Sequence, residues 1–191
     1  MKSGLPRVYS AQQLARRVRA LGGAISRDYK GRTVDVVILL ENSLVFAADL
    51  VRKIAPRVVC HFVRVDIRDL QFAVHNRREI YFSRPPRLEN RDVLLVDAVM
   101  QSGLTQDFLM QRLHESRPRS LRLAVLFDKP AERRVNLNPD YFGFSAASKY
   151  LAGYGLAGSR GWYRNLPYVG LQSGRPRSRA GGRRARRGGI K

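Results

Sequence analysis

The sequence is poor in the residues that build disulfides and protein-bound metal sites. It holds one cysteine, Cys60, and three histidines among 191 residues. A lone cysteine excludes an intramolecular disulfide, and with so few scattered histidines no metal site is expected. Because Cys60 lies in an apolar, strand-like run, we expect a buried and inert thiol.

Long apolar runs are also lacking. No segment approaches the ~18 consecutive apolar residues that a membrane span needs, so none is expected. Shorter apolar runs at residues 34–40 and 93–96, with a hydrophobic content of 44%, are enough to build a core. The length suits one domain with an extension, and we predict a domain over residues 1–171 and a tail over 172–191 that is disordered unless bound.

Acidic residues are scarce, and the formal net charge is +21. The tail contributes eight cations and no acid, which leaves +13 for residues 1–171. Such a surface attracts polyanions, so RNA, DNA or an anionic membrane is the expected class of partner. Arginine supplies most of the cations and pairs phosphates bidentately, although a GC-rich genome produces the same bias.

The Arg/Gly-rich tail has no apolar periodicity and cannot fold alone. Its cations are predicted to contact RNA phosphates, and they are Arg175, Arg177, Arg179, Arg183, Arg184, Arg186, Arg187 and Lys191.

The first acidic residue is Asp28, so residues 1–27 have the basic, acid-free composition of an organellar transit peptide. Apolar residues at three- and four-residue spacings nevertheless predict an amphipathic helix over residues 10–29, with Ser10 as its N-cap. The basic, acid-free composition favours a mitochondrial localisation, with the cytoplasm as the alternative. The predicted helix leaves open whether the N-terminus is processed.

Strands and helices alternate along the remaining chain. We predict strands at residues 34–40, 57–65, 92–96 and 121–127, and helices at 43–54 and 104–114. This alternation indicates an α/β fold, with a mostly parallel sheet flanked by helices on both faces. The polar connection at residues 66–91 is too long for a simple loop and is expected to be functional or mobile.

The strongest local signal is the segment LLVDAVMQSGLT, residues 94–105. A buried strand ends in an acid, passes through a turn of small residues and enters a helix. Ligands of open α/β sheets bind beyond the carboxyl ends of the strands, and a helix N-terminus presents free N–H groups to phosphate. Ser102, Gly103 and Thr105 are therefore predicted to cradle a phosphate, although a tight turn without a ligand would look similar.

Over residues 8–171 the chain resembles the hypoxanthine-guanine phosphoribosyltransferases. Its landmarks stand in the family's order: LLENSLVFAADLVR at 39–52, LLVDAVMQSGLT at 94–105, LFDKP at 126–130, DYFGF at 140–144 and YLAGYGLAGSRGWYRNLPYVG at 150–170. The resemblance implies a type I phosphoribosyltransferase fold. It also implies an enzyme that joins a purine to the ribose 5-phosphate of phosphoribosyl pyrophosphate, with magnesium, and releases pyrophosphate.

Several positions depart from the family pattern. Two adjacent acids that hold the ribose, and a third acid that acts on purine N7, correspond to Asp97, Ala98 and Gln101. A Gln amide cannot replace a carboxylate base, and general acid–base help is typically worth ~10²–10⁴ in rate. By the same resemblance, Glu41 lies in the loop that binds pyrophosphate, where an anion opposes binding, and Ala157 replaces an acid. The Ser-Tyr pair of the family's mobile loop is absent near residues 66–68.

Other family positions are kept. The resemblance assigns Lys129 to the exocyclic oxygen of the purine, Tyr150 to stacking on the base and Arg164 to the pyrophosphate side. The phosphate cradle at residues 102–105 is also retained. These residues brace the fold as well, so their presence alone does not decide whether a nucleotide binds.

These substitutions lead us to expect no catalytic residues and no cofactor, with magnesium and phosphoribosyl pyrophosphate relevant only if activity is retained. The favoured hypothesis is a catalytically inactive, RNA-binding structural subunit of an organellar, most plausibly mitochondrial, ribosome. It would contact ribosomal RNA and neighbouring proteins, and a homo-oligomer like those of the family is compatible with it. The alternatives are a purine salvage enzyme or a nucleotide-sensing RNA-binding regulator. A subunit of a membrane complex has no amphipathic anchor to support it.

Overall fold

The computed structural model describes residues 4–68, 77–82, 86–146 and 150–172. Three α-helices and nine strands are defined in this part of the chain. In order they are β1 Arg7–Tyr9, α1 Ala11–Asp28, β2 Thr33–Leu39, α2 Leu44–Val51, β3 Arg57–Arg68, β4 Arg77–Phe82, β5 Asp92–Met100, α3 Leu104–His114, β6 Ser120–Asp128, β7 Tyr141–Ser145, β8 Leu151–Ala152 and β9 Val169–Leu171.

The main sheet has the strand order β4-β3-β2-β5-β6-β7. The five strands β3, β2, β5, β6 and β7 are parallel to one another. Strand β4 pairs antiparallel with β3 at the edge of the sheet. Strands β1, β9 and β8 form a separate antiparallel sheet. The α/β fold with a mostly parallel sheet flanked by helices is therefore confirmed.

Helix α1 begins as the sequence predicts. The Ser10 hydroxyl accepts a hydrogen bond from the Gln13 N–H, and the Gln13 side chain accepts one from the Ser10 N–H. This reciprocal capping box satisfies two N–H groups that a helix start leaves without partners. Leu14, Val18 and Ile25 then lie on one buried face of the helix, which packs on the sheet.

The core is divided by the sheet into two apolar clusters. Strand residues that alternate along β2 and β5 point to opposite faces, as the pleat requires. One cluster joins Val36 and Val96 to α1 and α2. The other joins Val37 and Leu95 to α3. Both faces of the parallel strands are thus covered, which explains their continuous apolar runs.

Buried acids anchor the amino ends of the central strands. Asp92 is fully buried, and its carboxylate accepts hydrogen bonds from Arg119 and from the Ser120 hydroxyl at 2.7 Å. Asp35 lies 2.8 Å from His61 Nε2 and accepts a hydrogen bond from Arg91 Nε at 2.7 Å. These ion pairs lie at the end of the sheet opposite to the carboxyl ends of the strands.

Two expectations need correction. Strand β3 continues to Arg68 and pairs antiparallel with β4. Residues 66–91 are therefore not one long loop, because part of this segment extends the edge of the sheet. Cys60 is exposed rather than buried, because β4 pairs only with the later part of β3 and leaves this part of the strand uncovered. Among the described residues, no helix has the length and apolar character to cross a membrane.

Candidate active site

A cavity of about 260 Å³ opens at the carboxyl ends of β2 and β5. From β2 the chain passes through α2 to β3 on one side, and from β5 through α3 to β6 on the other. The two strands therefore meet where the strand order reverses, which is where open α/β sheets bind ligands. The described residues that line it are Leu39, Leu40, Asn42, Val65, Asp97, Val99, Gln101, Ser102, Gly103, Thr105 and Gln106.

Five of the residues predicted from the sequence therefore share one cavity, namely Asp97, Gln101, Ser102, Gly103 and Thr105. Among the other predicted residues that the structure describes, Ala98, Lys129, Tyr150 and Arg164 are not part of this lining. Arg164 reaches the cavity wall through a hydrogen bond to Asn42. Lys129 is joined to β5 because its N–H donates to the carbonyl of Met100 at 2.9 Å.

The phosphate cradle is formed by the turn between β5 and α3. Gly103 has φ +78 and is the N-cap of α3, a conformation that favours glycine. The Arg134 N–H donates to the Ser102 carbonyl at 2.9 Å and fixes the turn from outside. The first turn of α3 faces the cavity through Thr105 and Gln106, so the positive end of the helix dipole would stabilise an anion that binds there.

Asp97 is buried at the floor of the cavity and fully hydrogen-bonded. Its Oδ1 accepts from the Ser43 hydroxyl at 2.7 Å and from the Ala98 N–H at 2.6 Å, and its Oδ2 accepts from the Gln106 amide. Burial raises the pKa of Asp97 above its ordinary value of 3.8, while the hydrogen bonds from Ser43 and Gln106 act in the opposite direction. The carboxylate links the loop before α2 to β5 and α3, and we call this set the Asp97 clasp.

The two replaced acids occupy different environments. Ala98 is fully buried in the apolar cluster that contains α1 and α2. Gln101 is exposed at the cavity rim, where its amide is free to approach a ligand. A carboxylate is therefore easily accommodated at position 101, whereas at position 98 it would be surrounded by apolar side chains.

Lys129 and Tyr150 differ in exposure. Lys129 is 2% exposed, and its ammonium lies 3.5 Å from Glu132 Oε1. Tyr150 is 37% exposed, which leaves part of its side chain accessible.

Arg164 is held by the loop that follows β2. Its guanidinium donates to Asn42 Oδ1 at 2.9 Å, to the Gly155 carbonyl at 2.6 Å and to Glu41 Oε2 at 3.3 Å. Asn42 Oδ1 also accepts from the Ala157 N–H at 3.3 Å. The loop and the segment between β8 and β9 are thereby joined beside the cavity.

Ser43 and Gln106, the two side chains that hold Asp97, were not predicted from the sequence. Gln106 had a recognisable signal, because it precedes Leu109 by three residues and so places an amide on the buried face of α3. A buried polar side chain needs a partner, and the acid at the end of β5 was the nearest candidate. Ser43 carried no such signal, since it was predicted only as part of a helix.

The donor atoms offered to a metal ion are few. Within the described ranges, no group of three or more His, Cys, Asp and Glu side chains is positioned to hold a metal. Mg²⁺ commonly binds through one or two carboxylates together with substrate phosphates, so in a phosphoribosyl transfer it would arrive with the diphosphate.

The chain is similar to known phosphoribosyl transferases over most of its length. The phosphoribosyl transferase domain model matches residues 6–157, which include the cavity and the cradle. The chain belongs to the hypoxanthine-guanine phosphoribosyltransferase family within that class, as its relatives and structural neighbours agree.

A hypoxanthine phosphoribosyltransferase of Buchnera aphidicola is 33% identical over 172 residues, with 89% of this chain and 97% of the relative covered. A crystal structure of a hypoxanthine-guanine phosphoribosyltransferase from Bacillus anthracis has a TM-score of 0.80 and 30% identity, and the match covers 88% of this chain and 98% of that one. A bifunctional TilS/HprT protein of Listeria monocytogenes is 31% identical over 85% of this chain. The chain spans about a quarter of that bifunctional relative, 25% of its length.

These relatives overturn the favoured hypothesis of an inactive, RNA-binding ribosomal subunit. Proteins named as purine phosphoribosyltransferases match at about 30% identity over most of the chain, and none of those compared indicates a ribosomal or RNA-binding role. The error came from equating replaced side chains with lost function. A missing acid lowers a rate by a finite factor and leaves the cradle intact. The tail cations predicted to contact RNA lie outside the described residues, so their role stays a prediction.

Proposed function

We propose that the chain is a purine salvage enzyme that joins a 6-oxopurine to the ribose 5-phosphate of phosphoribosyl pyrophosphate. The bond between ribose C1′ and the pyrophosphate oxygen breaks, and its electron pair leaves with pyrophosphate. The bond between C1′ and purine N9 forms as the N9 proton is lost. The observation that carries the proposal is the cavity at the β2/β5 junction, with Asp97 at its floor and the cradle of residues 102–105 at one end.

The residues named by the family resemblance fit this substrate. The turn at Ser102, Gly103 and Thr105 offers N–H groups and a helix N-terminus to the 5-phosphate. Lys129 would donate to the exocyclic oxygen of the base, and the partly exposed ring of Tyr150 would stack on it. Asp97 is proposed to position the turn through its clasp, because its oxygens are already engaged.

Gln101 is the residue on which the rate should depend. Its neutral amide can hydrogen-bond purine N7 but cannot stabilise a protonated N7 as an anion does. The transfer is therefore expected to proceed through positioning and electrostatic stabilisation. Turnover below that of a family member with an acid at this position is expected, by a factor of ~10²–10⁴.

The direct experiment incubates the purified chain with magnesium, phosphoribosyl pyrophosphate and hypoxanthine, guanine or xanthine, and measures nucleotide formation. Gln101→Asp should raise kcat by at least about tenfold, because it restores a carboxylate at an exposed rim position. Gln12→Asp is the matched control, since it adds the same charge to exposed α1 outside the cavity lining and should leave kcat unchanged. Absence of transfer from every base in both the parent chain and Gln101→Asp would refute the proposal.

A further inference from the structure

The guanidinium of Arg164, which is hydrogen-bonded to Asn42 at the cavity wall, also contacts the carboxylate of Glu41 in the loop that follows β2. Glu41 Oε2 lies 3.3 Å from Arg164 Nη2, while the neutral acceptors Asn42 Oδ1 and Gly155 O take hydrogen bonds from Nη1. The neutral contacts orient the guanidinium and leave its charge uncompensated. Glu41 is the acid that the structure pairs with this guanidinium.

The contact between Glu41 and Arg164 is weak by its geometry. The Glu41 side chain is 64% exposed, the Arg164 side chain is 34% exposed, and the pair is joined through one oxygen at 3.3 Å. Exposed ion pairs of this kind contribute little to stability, because water screens both charges. Arginine binds phosphate oxygens through shorter, often bidentate hydrogen bonds, so a diphosphate can displace the carboxylate.

We infer that Glu41 is a specificity-determining residue that competes with the diphosphate group of the substrate for Arg164. The inference rests on the proposed function, because it takes Arg164 to bind the diphosphate of phosphoribosyl pyrophosphate, as the family resemblance implies. While Glu41 is bound, the guanidinium is compensated and the site is closed to a second anion. Binding of a diphosphate requires the Glu41 side chain to swing into solvent, where its exposure allows it to be hydrated.

The competition affects ligands that carry a diphosphate more than other ligands of the site. It weakens binding of pyrophosphate and of phosphoribosyl pyrophosphate, which need Arg164, and it leaves binding of the purine and of a 5′-monophosphate nearly unchanged, because those groups bind at Lys129 and at the cradle of residues 102–105. Glu41 would therefore set the ratio of affinities between diphosphate and monophosphate ligands.

The test is Glu41→Gln, compared with Glu115→Gln. Glu115 pairs with Arg112 at 2.9 Å, and the side chain of Glu115 is 62% exposed. The control therefore removes a similarly exposed acid at the far end of α3. Calorimetry with inorganic pyrophosphate and Mg²⁺ should show about two- to tenfold tighter binding for Glu41→Gln, from loss of the weak ion pair that competes for Arg164. Affinity for guanosine monophosphate should change less than about twofold.

A second arm uses the Arg164→Ala background. If Glu41 acts through Arg164, Glu41→Gln should have no effect on pyrophosphate binding there. Calorimetry needs no turnover, so an absence of transferase activity would count against the proposed function and leave this inference testable. Where turnover is measurable, the KM for phosphoribosyl pyrophosphate should fall while the KM for guanine stays constant.

Four outcomes would overturn the inference, of which the first three concern the change in affinity. They are an unchanged or weakened affinity for pyrophosphate in Glu41→Gln, a gain that Glu115→Gln matches, and a gain that persists without Arg164. Failure of both the parent chain and Glu41→Gln to bind pyrophosphate would overturn it as well.

Discussion

Gly103 should be the least replaceable glycine of the site, because both its backbone and its surroundings exclude a side chain. Its φ of +78 costs an L-residue roughly 1–2 kcal/mol. A Cβ there would lie 2.7 Å from Val135 Cγ2, 3.0 Å from Arg133 Cδ and 3.1 Å from Met100 Cε. All three are side-chain atoms, which can shift at a cost of about 1–3 kcal/mol. Gly103→Ala should therefore destabilise the fold by about 2–5 kcal/mol.

Gly31 provides the matched control. It has nearly the same backbone conformation, with φ +75, but a Cβ there would have no heavy atom within 4 Å. Gly31→Ala should therefore lower the free energy of unfolding only by the backbone strain, roughly 1–2 kcal/mol. Urea unfolding followed by far-UV circular dichroism measures both free energies, and their difference isolates the crowding around Gly103.

The same pair separates stability from function. Gly103→Ala displaces the turn that holds the 5-phosphate, so affinity for guanosine monophosphate should fall by about tenfold or more, which corresponds to about 1.4 kcal/mol. Gly31→Ala should leave that affinity unchanged. Equal losses of stability in the two variants, or unchanged nucleotide affinity in Gly103→Ala, would refute this account of the turn.

Two carboxylates should give opposite pH dependences of stability. The pKa of Asp97 is raised by burial, so the stability that Asp97 contributes is present below its ordinary value of 3.8 and is lost as pH rises through the folded-state pKa. Asp97→Asn should thus gain stability relative to the parent chain as pH rises, and a difference that is constant with pH would contradict this. Hydrogen bonds from Arg119 lower the pKa of Asp92, so its contribution is present above 3.8 and is lost as pH falls through the folded-state pKa. Asp92→Asn should cost about 1–3 kcal/mol at neutral pH and less in acid, as measured by urea unfolding across the pH range.

The elements that the sequence predicted are those whose signals are local. The capped helix α1 and the apolar strands β2 and β5 have periodicities that can be read within one window. Strands β8 and β9 have two and three residues, too few for any period, and their pairing joins segments of the chain that lie far apart. The pairing of β1 with β9 spans almost the whole domain.

The site divides in the same way. The cradle could be predicted because strand, turn and helix follow one another within twelve residues, 94–105. The Asp97 clasp could not, because Ser43 lies 54 positions away from Asp97 and reaches it only after β2 and β5 have paired. Glu41 was recognised as an unusual anion, but its partner Arg164 is 123 positions distant, so its contact required the folded chain.

The positive charge misled the functional interpretation because a net charge does not say which cations are already paired. Many arginines of the domain neutralise the chain's own acids, as Arg91 does for Asp35 and Arg119 for the fully buried Asp92. Such arginines hold the ends of strands, and their guanidinium groups are engaged before any polyanion approaches. Net charge is an argument about long-range attraction and solubility, whereas function depends on the groups at a site. In this chain Arg164 is joined to the cavity wall through Asn42, and its availability to an anion depends on the neighbouring Glu41.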